Sequence, residues 1–282
     1  MFGKKKKNQK KTLRGLEGVT LDSSRDSAGF QFAALLRENR ATVMFGVEGE
    51  VTTEEIDAWE VTVAQDETVI ATEVTAGTSL TLSVTIQRQG KEKKAEADAV
   101  LTHLAKVLPD FYAVEWSEAV VTPLTDSEII GVLEARLGME LSEDVAPAAL
   151  GVDSIVETLR HVELGPQASV AFEVGDDAEI DRMFRGMALG EMWGVVRWTR
   201  IFRPADTLAD EDEVGRHSGL FVVSVPEEKS EGLEAVVGKI IGSLTPVQRL
   251  RVRRMLARQQ GAVVSSLGIG ALAWELNAAV SA

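Results

Sequence analysis

The sequence predicts an α/β (α+β) protein built as two tandem ferredoxin-like βαββαβ modules joined by a helical connector. Three observations carry that prediction. Apolar runs with strand periodicity alternate with stripes of helical periodicity along most of the chain. The stripe Ala97, Val100, Leu101, Leu104, Val107, Leu108 recurs in the second half as Leu233, Val236, Val237, Ile240, Ile241, Leu244. The length, 282 residues, exceeds what one hydrophobic core usually serves.

Residues 1–40 read as a polybasic tail and linker, rich in Ser, Asp and Gly, with a short apolar patch at Phe30, Phe32, Leu35 and Leu36. The first module spans 41–117. Residues 41–51 have the composition of a strand, and Thr52 with Glu55 forms a capping box before Ile56, Trp59 and Val63 at helical spacing. Trp59, Val61 and Val63 also alternate, so 53–64 fits either a helix or a strand. Runs 68–75 and 79–88 flank Ala76-Gly77-Thr78 as a hairpin. An amphipathic helix over 91–108 is stopped by Pro109, and 111–117 supplies a last strand. The connector, 118–165, opens with a second capping box, Thr125 with Glu128, ahead of Ile129, Ile130, Leu133 and Leu137, and Gly138 ends that helix. A further helix is expected near 153–163 with Ile155, Val156, Leu159 and Val162 inward. The second module, 166–282, repeats the order: strand 168–174, helix 177–188, strands 194–203 and 219–226, helix 229–244, strand 249–256 and a C-terminal helix.

Composition narrows the chemistry. Apolar residues are 45% and charged residues 26%, as in ordinary packed proteins. The absence of cysteine excludes disulfides, thiolate nucleophiles and cysteine-ligated zinc or iron–sulfur sites. No apolar run has the length of a membrane span, and the charged N-terminus lacks the apolar stretch of a signal peptide, so a cytoplasmic location is expected. Lys4, Lys5, Lys6, Lys7, Lys10, Lys11 and Arg14 put seven positive charges, and no acid, into residues 1–14; removing them from the total of −14 leaves −21 for the remainder. Such a body repels polyanions, whereas the tail attracts an anionic leaflet or nucleic acid. With Phe2 the only aromatic beside the lysines, peripheral lipid contact at the inner membrane face ranks above base recognition, and a merely solubilising tail stands level with lipid contact.

No P-loop, dinucleotide fingerprint, nucleophile elbow, metalloprotease helix or calcium loop occurs, and neither a catalytic residue nor a cofactor is expected. His103, His161 and His217 are scattered and read as surface chemistry. Asp176-Asp177-Glu179-Asp181 sits where a helix begins and reads as capping, and Asp210–Glu213 reads as solvated charge. The sharper feature is Arg249, Arg251, Arg253, Arg254 and Arg258. On a strand, the first three share one face and Leu250 and Val252 the other, which gives an interaction strip for phosphate or an acidic partner. Pairing with the chain's own carboxylates is the competing reading.

The order Leu220–Pro226, helix 229–244, Arg249–Leu256, Arg258-Gln259-Gln260-Gly261-Ala262, Leu267-Gly268-Ile269-Gly270 and Trp274-Glu275 resembles the C-terminal part of EccE-type proteins. These are the type VII secretion component EccE and relatives in actinobacterial conjugative elements. Thr199–Pro204 and Thr122–Leu137 are similar to upstream segments of the conjugative relatives. The resemblance implies a non-enzymatic structural or accessory subunit, acting by protein contacts beside a membrane-embedded transport apparatus and its motor ATPase. Those relatives usually begin with transmembrane helices, where this chain has lysines. Two other readings stand beside it: a hydrolase or transferase with a site of dispersed histidines and carboxylates, and a nucleic-acid adaptor using the basic tail. Homo-oligomerisation stays open.

Overall fold

A computed structural model describes residues 11–13, 15–88, 93–141, 151–152, 154–190, 192, 194–205, 215–272 and 276. In chain order the strands are β1 (Lys11–Thr12), β2 (Thr20–Arg25), β3 (Gln31–Arg37) and β4 (Arg40–Glu50), then β5 (Val69–Ala76), β6 (Leu80–Gln87) and β7 (Glu118–Pro123). They continue with β8 (Gly151–Val152), β9 (Ile155–Glu157), β10 (Val162–Leu164), β11 (Gln167–Val174), β12 (Val196–Pro204), β13 (Gly215–Pro226) and β14 (Val252–Arg254). The helices are α1 (Thr53–Val63), α2 (Lys93–Tyr112), α3 (Asp126–Leu137), α4 (Ala178–Leu189), α5 (Leu233–Ser243), α6 (Pro246–Arg251) and α7 (Gln259–Ser265).

Twelve of the strands join in one antiparallel sheet of order β2-β3-β4-β6-β5-β12-β13-β11-β10-β9, with β7 added to β4 and β14 to β11. This overturns the expectation of two tandem ferredoxin-like modules joined by a helical connector. On one side of the sheet's midline the order is β7-β4-β6-β5, and on the other β14-β11-β13-β12. Between them β5 and β12 pair from Thr72↔Phe202 to Ala76↔Trp198, so the two halves share a hydrogen-bonded seam. Two strands that would each have been an edge satisfy one another's N–H and C=O groups.

Local expectations are corrected too. Within the expected linker, residues 20–25 and 31–37 form β2 and β3, with Phe32, Leu35 and Leu36 buried. Pro109 does not stop α2, which runs on to Tyr112, and the following strand is β7 rather than 111–117. The expected helix at 153–163 is the pair β9 and β10. The ambiguous segment 53–64 is helix, because the Thr52–Glu55 capping box closes at its start.

The two faces of the sheet are covered differently. On one, α1 and α2 bury Ile56, Trp59, Leu104 and Leu108 against Val43, Phe45, Leu82 and Val84. On the same face α4 and α5 bury Ile180, Phe184, Val237 and Ile240 against Val170, Trp198, Phe221 and Val223. The opposite face has a continuous core in which α3, α7 and the N-terminal Leu13 and Leu16 pack on Met44, Ala171, Ile201, Leu220 and Val222. Each fully buried Val, Leu, Ile, Phe or Met among them contributes about 1.5–3 kcal/mol.

Over the seam on that opposite face the covering is a strap, residues 263–271, formed by the end of α7 and the chain that follows it. Its polar groups find side chains of the sheet and of α3. Ser83 Oγ donates to Gly268 O at 2.7 Å, Thr199 Oγ1 to Ser266 O at 2.8 Å, and Arg136 Nη1 to Leu267 O at 2.5 Å. Arg197 donates to Ser266 Oγ, Arg136 O and Val263 O. Glu73 accepts the Gly270 N–H at 2.7 Å. Gly268 and Gly270 have φ of +70° and +69°, and a Cβ there would lie 2.6 Å from Thr75 Oγ1 and 2.1 Å from Thr42 Oγ1. Among the described residues, no helix is long and apolar enough to cross a membrane.

Candidate functional site

On the helix-covered face, α1 and α4 lie on either side of the seam and are tied together where Arg185 Nη2 donates to Thr53 Oγ1 at 2.6 Å. Beneath that tie is a cavity of 230 Å³ whose lining includes Thr53, Asp57, Asp176, Asp181, Trp198, Arg200 and His217. Strand alternation explains the sheet's share: Trp198, Arg200 and Phe202 on β12 share a side with their partners Phe221, Gly219 and His217 on β13, which sets His217 diagonally across from Arg200. The acids come from α1, which carries Asp57 and Glu60, and from the start of α4, where Asp176 precedes the helix and Asp181 lies in its first turn. Asp177 caps α4 by accepting the Glu179 and Ile180 N–H groups, each at 3.1 Å, and Asp181 accepts Trp198 Nε1–H at 2.7 Å.

The centre of the cluster is Arg200. Its Nη2 lies 2.5 Å from Asp57 Oδ1, 2.8 Å from Glu60 Oε2 and 2.6 Å from His217 Nε2. Glu60 Oε2 is also 3.0 Å from His217 Nε2. The His217 ring nitrogen either accepts from Arg200 or donates to Glu60, according to its tautomer. Burial pushes the Glu60 carboxyl above its ordinary range, with the His217 bond and the Arg200 charge opposing. Glu60 Oε1 is buried without a hydrogen-bond partner.

Asp57, Glu60 and His217 each offer an atom within 4.8 Å of the others, a spacing open to a metal ion. The donor set does not fit one: a guanidinium nitrogen stands within hydrogen-bonding distance of all three and supplies the compensating positive charge itself. The cluster is closed on its own charges. Of the three histidines only His217 meets carboxylates in a cavity; His103 contacts Thr68 and Asp66, and His161 contacts Thr158 and Glu163, all outside the seam.

The arginine strip is not a strand face. Arg249 and Arg251 lie on α6, Arg253 and Arg254 on β14, and Arg258 immediately precedes α7. The capping box Thr245–Gln248 with Pro246 at the first helical position starts a helix where alternation alone suggested a strand. Arg249 turns back to Leu244 O and Gly242 O, and Arg254 holds Glu234 through two bonds at 2.6 and 3.0 Å while lying over Phe172. Leu250, expected to be buried, is 77% exposed. Of the tail cations, Lys4, Lys5, Lys6, Lys7, Lys10 and Arg14 lie outside the described residues; Lys11 belongs to β1, whose backbone pairs with β8. Asp210–Glu213 also lies outside them.

A second cavity is apolar. Between α4 and α5 runs a groove of 620 Å³ whose walls are Gly186, Met187 and Met192 on one side and Val236, Lys239 and Ile240 on the other. Met187, Met192 and Val236 are half-buried at the edge of the core formed around Phe184 and Phe221. Beyond α5, Val247 and Leu250 stand exposed on α6.

Sequence reading overlooked Asp57, Glu60 and Arg200. The signal for Glu60 was its place on an apolar stripe, between Ile56 and Val63 at helical spacing. Arg200 falls in Thr199–Pro204, one of the segments behind the family resemblance.

No family model matches the chain, and no curated protein matches it. Among solved structures, a chitooligosaccharide oxidase aligns at 8% identity with a TM-score of 0.33, over 89% of this chain and 53% of its own. A variant of berberine bridge enzyme aligns at 10% and 0.31, over 76% and 43%. A BBE-like protein from Arabidopsis thaliana aligns at 11% and 0.31, over 83% and 56%. The chain thus spans about half the length of these structures, and overlaps this loose carry no argument about its fold or chemistry.

Proposed function

We propose that this protein is a non-enzymatic accessory subunit of a type VII-like secretion or conjugative transfer apparatus, working by protein contact at the cytoplasmic face of the membrane. The observation that carries the contact role is the groove between α4 and α5, an apolar concavity with methionine walls on a chain whose net charge is −14. The apparatus comes from the resemblance of the C-terminal segments to EccE-type proteins. Its counterparts are the membrane-embedded transporter and its motor ATPase, with the lysine tail adding peripheral attraction to anionic lipid. The test is cross-linking of the tagged full chain in its native cell, followed by identification of the captured proteins. Recovery of a membrane transport component together with a P-loop ATPase is the expected result; recovery of neither refutes the reading.

A second reading, acid–base chemistry in the seam cavity, is favoured by His217 standing beside Glu60 in a pocket that also exposes Asp57 and Asp176. Ester and phosphoester substrates, assayed with wild type and His217→Gln, decide it. Turnover that disappears in the variant would replace the contact role by catalysis.

A further inference from the structure

We propose that the α4–α5 groove is the docking site for a helix of the protein partner, one with an apolar stripe flanked by carboxylates; the proposal rests on the contact role above and names its surface. Three features argue for a helix. The groove lies between two helices, the arrangement in which a third packs as a ridge into their furrow. Its wall at Gly186 has no side chain and nothing within 4 Å of where a Cβ would stand, so a partner backbone can approach closely. Met187 and Met192 supply unbranched, adaptable walls for inserted aliphatic side chains.

The flanking charge follows from the rim. Lys239 is the charged residue among the described groove walls, and Arg182, exposed on α4, lies one turn before Gly186 on the same stripe. A patch with these cations on a body of net charge −14 favours an acidic partner segment locally and disfavours a second copy of the whole acidic chain.

The probe is a synthetic amphipathic peptide of about 18 residues, long enough to hold a helix, with a leucine stripe flanked by glutamates; its control carries lysines at the same flanks. Binding to the full chain is read from the methyl signals of labelled methionines. The glutamate peptide is expected to shift Met187 and Met192, and the lysine peptide to bind at least about tenfold more weakly at low salt. Gly186→Trp fills the groove from an open helical position and should abolish the shifts. Lys239→Glu, on an exposed side chain that leaves the core alone, should weaken the glutamate peptide about fivefold. Equal binding of both peptides, no binding of either, or undiminished binding to Gly186→Trp overturns the proposal. A wild-type dimer that Gly186→Trp converts to monomer also overturns it, in favour of self-association. The in-cell cross-link separates the two levels: if Gly186→Trp still captures the transporter and ATPase, the groove fails as the site and the subunit role stands; if the wild type captures neither, the role itself fails.

Discussion

Glu73 makes the stability of this fold depend on pH in a direction opposite to that of most carboxylates. It sits on β5 at the seam, fully buried, with one oxygen on the Gly270 N–H and the other without a partner. Burial pushes its carboxyl from 4.5 up to about 7, against the pull of the Gly270 N–H and of Arg136. The folded protein therefore holds this proton more tightly than the unfolded chain does. Its stabilising effect is complete below pH 4.5, declines as pH rises, and is gone once pH passes the folded value of about 7. At about 1.36 kcal/mol per tenfold change in proton affinity, the full loss is about 3 kcal/mol. Arg136 and Arg197, lowered by burial to about 9 and about 10, keep their charge through this window and add a constant. Glu73→Gln keeps an acceptor for Gly270 and removes the titration. Thermal unfolding of both proteins should show the variant gaining on wild type as pH rises from about 4.5 to about 8, by about 6 °C at roughly 2 °C per kcal/mol for a chain of this size. A difference in Tm between the two proteins that is the same at both pH values would refute the reasoning, since it would mean the buried carboxyl does not titrate there. Glu60, raised by the same cause, contributes a second slope of the same sign, and the double variant Glu60→Gln/Glu73→Gln should be flatter still.

Gly270→Ala should cost at least about 2 kcal/mol in urea unfolding, because its φ of +69° and the nearby Thr42 Oγ1 leave no room for a Cβ. Gly131→Ala, with nothing within 4 Å, serves as the control and should change stability little or raise it by up to about 1 kcal/mol. Leu250→Asp should leave stability within about 0.5 kcal/mol, since the side chain is 77% exposed; Val222→Asp, fully buried, should unfold the protein. A fragment ending at Leu164 should fail to unfold cooperatively by circular dichroism, because it bares the β5 edge and lacks the strap 263–271 that satisfies Glu73, Ser83 and Arg136. Deleting residues 1–10 should leave the Tm unchanged and remove binding to anionic vesicles, whereas deletion through 14 should also destabilise by unpairing β1 and removing the buried Leu13.

Signals confined to a few neighbouring residues were legible. The capping box at Thr125 located α3, the one at Thr52 left 53–64 open between helix and strand, and the stripes of α2 and α5 identified their buried faces. The Thr245–Gln248 box with Pro246 is equally local and starts α6, whereas the alternation of Arg249, Leu250 and Arg251 pointed to a strand. Pro109 misled in the other direction: it sits inside α2, three residues from its end.

The sequence by itself determined the helices with caps and stripes, the absence of thiol chemistry and the charge contrast between tail and body, because each depends on composition or on neighbours within a turn or two. The tertiary structure alone decided that β5 and β12 fuse the halves into one sheet, that Arg200 joins Asp57, Glu60 and His217, and that Glu73 meets Gly270. Those partners lie between 17 and 197 residues apart in the chain. A strand's alternation shows which side chains share a face, but not which distant strand lies beside it, and in this protein that pairing built both the seam and its cluster of charge.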